Sequence, residues 1–243
     1  MRIIVFIYGI VSYALGVASL LYLICFVSNT VVPKTIDSAP VGGVAPAVLV
    51  DLILVGLFAL QHSLMARPGF KERWTRVVTK PAERSTYVLA TAGVLALLFW
   101  QWQPIPGVVW NIEGTLGKGL LQGLFWLGWA TLLASTFMIN HFDLFGLRQV
   151  YLRLKGEPYR PVPFVQVALY RFVRHPIMLG ILIGLWATPS MSLGHLLFAA
   201  ATTAYVFIGI LLEEHDTRHA LGESYERYRR ETSMILPLPR GKS

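Results

Sequence analysis

The chain of 243 residues contains a single cysteine, Cys25, set inside an apolar run. One thiol excludes a disulfide framework and a thiolate metal site within the chain, and Cys25 reads as a small apolar core residue. Charge is scarce as well. Asp, Glu, Lys and Arg make up 14% of the residues against 55% hydrophobic ones, and mean hydropathy is +0.57. That balance excludes an ordinary soluble domain. There is no Gly-rich nucleotide fingerprint and no strand–helix–strand pattern, which excludes a Rossmann-type nucleotide fold. Internal repeats and low-complexity tracts are absent, and the loops are too small to hold a second soluble domain.

What the sequence does have is apolar length. Runs occupy residues 3 to 28, 46 to 66, 85 to 102, 120 to 139, 176 to 188 and 196 to 212. Four of them reach or approach the roughly 20 residues that cross about 30 Å of hydrocarbon as helix; the fifth is short and the sixth marginal. Arg2 precedes the first run as in a signal peptide, but the stretch is too long for an h-region and no A-x-A-like site follows, so the run is kept as a helix. The expected fold class is all-α: a polytopic integral membrane helical bundle of five to six membrane helices, ending in a helical hairpin with a short first arm. Residues 1–243 are expected to form one membrane domain, with N-terminal helices in 1–140 and a second half in 141–243 that carries the chemistry-bearing residues described below.

Basic residues alternate between loops. Segments 67 to 84 and 141 to 175 each carry six Lys or Arg, and the tail carries Arg218, Arg227, Arg229, Arg230, Arg240 and Lys242, whereas the loops between hold little more than Lys34 and Lys118. The positive-inside rule then places both termini and these two segments in the cytoplasm. The net charge of +8 reports this topology and does not argue for nucleic acid, because no recognised binding module accompanies it. Trp100, Trp102, Trp110, Trp126 and Trp129 read as aromatic belt and core. His195, on the opposite side, is expected in solvent. His215 and His219 have metal-ligand spacing, but Asp216 stands where a zincin has Glu and no third ligand is evident, so no metal is expected.

Chemistry concentrates at one end of the last hairpin. Arg174-His175-Pro176 opens the fifth apolar run and Glu213-Glu214 closes the sixth, and ionisable groups at a hydrocarbon boundary are costly unless paired or functional. If the hairpin turns near Pro189 to Gly194, the two arms differ in length by about 8 Å at helical rise. The His175 end is then expected deeper, with non-helical or re-entrant backbone at Tyr170 and Phe172 lining a cavity. Gly180 and Gly184 form a small-xxx-small pair, which fits helix packing or close approach to a ligand.

These residues carry a resemblance. Arg174-His175-Pro176 with Gly180, the apolar hairpin, Glu213-Glu214, Gly222-x-x-Tyr225-x-x-Tyr228 and Leu236-Pro237 resemble the C-terminal half of the isoprenylcysteine carboxyl methyltransferase superfamily over Tyr170 to Pro239. Met178 stands where many relatives have Tyr. Gln61 to Pro68, Glu83 to Tyr87 and His141-Phe142-Asp143-Leu144-Phe145-Gly146-Leu147-Arg148-Gln149 are similar to segments of the bacterial membrane-bound methanethiol S-methyltransferases and their NnrU-type relatives.

The resemblance implies conversion of methanethiol to dimethyl sulfide with S-adenosylmethionine as donor. It implies a cofactor site at Tyr170, Arg174, His175, Pro176, Gly180, Glu213, Glu214, Tyr225 and Leu236, the last two in a tail folded over the adenine. Tyr225 also fits an amphipathic surface helix. For catalysis the choice is His141 as base or thiolate orienter, Asp143 as its partner and Arg148 for cavity electrostatics; the alternative is an interfacial loop with a satisfied His. The partners implied are a small thiol and the lipid bilayer, with no nucleic acid and no protein partner. Other readings stay open: another small thiol or a lipid substrate, or a non-enzymatic haem-handling or transport protein using His62, His141 or His175 as ligands.

Overall fold

A computed structural model describes residues 1–40 and 42–237; Pro239, Arg240 and Lys242, used in the motif and charge readings, lie outside the described residues. The apolar runs form α1 (Arg2–Ser28), α2 (Val44–Ala66), α4 (Lys80–Gln101), α5 (Thr115–Ile139), α8 (Pro176–Trp186) and α9 (Leu193–Leu221). Five of these, all except α8, are long and apolar enough to cross a membrane. Short helices lie between them, α3 (Pro68–Trp74), α6 (His141–Leu144) and α7 (Leu147–Lys155), and α10 (Glu223–Glu231) follows α9. Sheet is confined to a two-stranded ribbon of β1 (Val108–Asn111) and β2 (Ser190–Ser192) among the described residues. The chain is thus an all-α, multi-pass membrane protein.

Local chemistry sets the helix ends. Arg67 is extended (φ −70°, ψ 140°) before Pro68, and His175 is non-helical before Pro176, because proline Cδ disfavours the helical region in the residue before it. Each proline then opens a helix, where its missing N–H costs nothing. Asn29 closes α1 in the left-handed region (φ 57°), returning its N–H to Cys25 O.

The residues fall into two compact units. The first joins 1–109, 140–163 and 192–198. Here α1 packs against α4 and α7 at small residues: a Cβ on Gly9 would lie 2.3 Å from Val150 Cγ2, and one on Gly16 would lie 2.4 Å from Val88 Cγ1. Its aromatic centre is Phe26, Phe99, Trp102 and Phe198, with Trp102 fully buried and its indole N–H on Ile36 O at 3.1 Å. His195 is a correction: it is completely buried, not solvent-exposed. The start of α9 carries both His195 and Phe198, and Phe198 meets Trp102 edge to face at 5.5 Å, so this turn belongs to a packed layer. Trp129 is core like Trp102, whereas Trp100 and Trp126 are exposed.

The second unit joins 110–139, 164–191 and 199–243. Helices α5 and α8 touch backbone to backbone: a Cβ on Gly180 would sit 2.6 Å from Gly128 O and 2.6 Å from Leu132 N, and one on Gly128 would sit 2.6 Å from Gly184 N. Val206 and Ile210 of α9 and Ile235 of the tail form a buried cluster with Met178, Leu179, Ile181 and Leu182 of α8.

The hairpin turns at 187–192, overlapping the expected 189–194, but the expected deeper placement of the His175 end is corrected, because its ends are level. His175 Nε2 lies 3.1 Å from Glu214 Oε1, although α8 spans only 11 residues. The non-helical run 187–192 includes β2, and extended chain covers about 3.3 Å per residue against 1.5 Å in a helix, which makes up the difference. Before His175 the chain forms a 3-10 turn, Ala168–Arg171, and Phe172 is exposed.

Candidate functional site

The second unit converges on one carboxylate. Glu214, buried on α9, accepts from Arg174 Nε (2.8 Å), Arg174 Nη2 (2.8 Å) and His175 Nε2 (3.1 Å) at Oε1, and from Arg229 Nε (3.1 Å) at Oε2. Arg174 also donates through Nη1 to Arg229 O, at 3.1 Å, and to Thr232 O. Every nitrogen of that guanidinium is therefore engaged by the protein. The tail is tied to the same place by its backbone: Arg174 N donates to Ser233 O (2.8 Å) and His175 N to Met234 O (3.1 Å). Such a hub is a rigid support, because a buried charge pair holds when its remaining hydrogen bonds are satisfied.

Glu213 differs. Its side chain is 55% exposed and its Oε2 lies 3.8 Å from His175 Nδ1, so it offers a carboxylate on a fixed base to whatever enters. Around the hub stand aromatic rings. Phe164 packs edge to face on Tyr228 (5.3 Å) and Tyr225 (6.0 Å), and Tyr228 donates its hydroxyl to Tyr170 O at 2.6 Å. Burial pushes the Tyr170 and Tyr225 phenols upward and that of Tyr228 to about 12. The three therefore stay protonated as neutral donors.

Of the expected cofactor residues, Arg174, His175 and Glu214 form the hub and Pro176 is the buried first residue of α8. Tyr170 packs in through its hydroxyl on Ser135 O (3.4 Å), Tyr225 is buried on α10 and Leu236 is exposed. Gly180 faces the α5 backbone, where its role is helix packing.

In the first unit, His141 opens α6 behind Asn140, whose side chain caps the turn by accepting Asp143 N at 3.1 Å. His141 is buried, with Nε2 3.0 Å from Tyr13 Oη and its ring 4.7 Å from that of Phe145. Burial lowers its pKa, so the imidazole is uncharged at neutral pH. Asp143 does not supply the expected partner. Its Oδ1 pairs with Arg148 Nη1 (2.8 Å) and its Oδ2 accepts from Tyr159 Oη (3.2 Å), because residues two apart on a helix do not face each other. Arg84 Nε, donating to Leu144 O at 2.6 Å, fastens the segment to α4.

Sequence reasoning missed Tyr13, which lies 128 positions from its partner His141 and carries no motif. It also missed Tyr159 and Phe164, which sit in a Pro-containing stretch with no periodicity. Arg229 was legible only as one of several tail cations.

The family described as NnrU protein matches residues 50–234. A methanethiol S-methyltransferase of Mycobacterium tuberculosis is 52% identical over 98% of each chain, and methanethiol S-methyltransferase 1 of Bradyrhizobium diazoefficiens is 49% identical over 97% of this chain and 83% of its own. Nurim of Bos taurus is 32% identical over 70% of this chain and 67% of its own. No solved structure matches. The chain belongs to the NnrU family and, within it, to the group of bacterial membrane-bound methanethiol S-methyltransferases.

Proposed function

We propose that this protein transfers a methyl group from S-adenosylmethionine to methanethiol, releasing dimethyl sulfide, S-adenosylhomocysteine and a proton. The observation that carries the reading is the near-full-length identity to relatives bearing the methanethiol S-methyltransferase name. The residues suit the donor. Glu213 is an exposed carboxylate held beside His175, matched to a cation or to ribose hydroxyls, and the exposed ring of Phe164, backed by buried Tyr225 and Tyr228, offers a face to a sulfonium or an adenine. Bound donor supplies an electrophilic methyl on positively charged sulfur. Glu213 and His175 are proposed to bind and orient it, with Glu214 and Arg174 fixing both.

The thiolate is the nucleophile. His141, neutral and with one ring nitrogen able to accept, is proposed to take the thiol proton, oriented by the Tyr13 hydroxyl. The Asp143–Arg148–Tyr159 set is proposed to hold α6 and α7 in place, not to serve His141. The test is headspace gas chromatography for dimethyl sulfide from purified protein, methanethiol and S-adenosylmethionine. No product from the wild type would reject the reading.

Glu213→Gln should weaken S-adenosylhomocysteine binding in calorimetry by about 10- to 100-fold, the size of a lost charge-assisted bond, while leaving thermal stability in detergent unchanged because the side chain is largely exposed. His141→Ala should reduce turnover by about 100-fold or more with little change in cofactor affinity. Its deficit should shrink as pH rises, since more methanethiol is then already ionised in solution. A pH-independent deficit would remove His141 as base.

A further inference from the structure

The first unit contains a cleft of about 650 Å³ that neither the donor nor the thiol assignment uses. Its walls come from the beginning of α4, from α6 and α7, and from the loop after α7. Four cations line it, Lys71, Lys80, Arg84 and Arg153, against three carboxylates, Glu83, Asp143 and Glu157. Asp143 is already neutralised by Arg148 at 2.8 Å, so the lining has a net excess of positive charge. Lys80 and Arg153 form no ion pair among the described residues. Arg84 is anchored through Nε on Leu144 O, which leaves the two terminal nitrogens of its fork for a ligand.

An acceptor waits in the same wall. Gln149 lines the cleft and its Nε2 donates to Asp143 O at 3.1 Å, which fixes the amide orientation. Its Oε1 is then buried with no hydrogen-bond partner among the described residues. A buried acceptor left unpaired is costly, so a ligand that fits would bring a donor as well as an anion.

The place of the cleft selects among such ligands. Lys80, Pro81, Glu83 and Arg84 form the first turn and a half of membrane helix α4, and Lys71 lies on α3, which joins α2 to α4. Phe70 and Trp74 stack at 5.8 Å on either side of Lys71 in sequence, and Val77 beyond them is 82% exposed. Aromatic rings with cations at the ends of membrane spans mark the headgroup level. A phosphodiester with free hydroxyls meets each requirement.

We propose that this cleft binds the headgroup of an anionic phospholipid of the phosphatidylglycerol type, with the phosphate held by Lys80, Arg84 and Arg153 and a glycerol hydroxyl donating to Gln149 Oε1. The acyl chains would run along the apolar surface of the membrane helices. The same chemistry is also presented by a free glycerol phosphate, and the experiment separates the two sources.

Detergent-purified full-length protein is mixed with phosphatidylglycerol or with phosphatidylethanol, which has the same charge and no hydroxyl, and retained lipid is counted by native mass spectrometry. Wild type should retain one phosphatidylglycerol per chain about tenfold more readily than phosphatidylethanol. Lys80→Gln/Arg153→Gln should abolish retention, whereas Arg73→Gln/Arg76→Gln, which removes equal charge from exposed positions outside the cleft lining, should not. Glycerol 3-phosphate that displaces the lipid at equimolar concentration would assign the cleft to a soluble phosphate ester; displacement only in large excess would assign it to the lipid. Equal retention of the two lipids, or equal loss in both double variants, would overturn the proposal as general surface attraction. Melting curves in lipid-free detergent should be the same for all variants, so that loss of binding is not loss of fold.

Discussion

Glu214→Leu should be among the most destabilising single substitutions in this chain, at about 3–5 kcal/mol. The side chain of Arg174 is 3% exposed and would keep only carbonyl partners, so its charge would remain buried without a counter-ion. Arg174→Met should cost less, because Glu214 would retain Arg229 and His175. Combining the two should recover a large part of the loss, since replacing both members of a buried pair by apolar groups is often near neutral. Unfolding titrations with dodecyl sulfate in mixed micelles would measure all three. Wild-type stability for Glu214→Leu would mean that the hub is not a support, and Glu214 would then become a direct cofactor ligand.

Gly180→Leu should come next in effect. Backbone atoms of α5 lie where its Cβ must go, at 2.6 Å on two sides. Backbone cannot rotate aside as a side chain can, so α8 would have to move off α5, and overpacking of this kind costs about 1–3 kcal/mol and occasionally more. Because His175 caps the start of α8, the displacement should also lower cofactor affinity, which no loss of a direct contact would explain. Gly123→Leu on α5 is the control: nothing lies within 4 Å of its Cβ position, and stability and binding should both stay at wild-type values. A Gly180→Leu protein with unchanged stability would show that the helices are not held at backbone contact.

The membrane class, the apolar runs and the closure of Arg174-His175 on Glu213-Glu214 could all be read from the sequence, because hydrocarbon length and uncompensated charge leave few alternatives. The roles within the cluster could not. Glu213 and Glu214 are adjacent and identical in type, and only three-dimensional pairing shows one saturated and the other exposed. His195 was misjudged for a related reason. Its place on the side opposite the basic loops suggests solvent, but burial of a helix start depends on which layers meet there, and neighbouring residues do not reveal it. The expectation for Asp143 failed on direction, since the one-turn α6 sends His141 and Asp143 to different partners. Tyr13 and Tyr159 were beyond reach because a partner distant in sequence leaves no periodic trace.

The brevity of α8 has a consequence for how the protein meets membranes of different thickness. An 11-residue apolar helix would ordinarily impose hydrophobic mismatch, forcing the surrounding bilayer to thin at a cost of fractions of a kcal/mol per ångström. Yet from Pro176 to Leu185 no residue of α8 is exposed, and only Trp186 at its end is. Acyl chains therefore reach the short element only through its partly exposed positions, Ile177 to Leu179 and Ile181 to Ile183. The membrane should register mainly the long helices, and thickening it from short-chain to long-chain lipids should leave the geometry at His175 little strained.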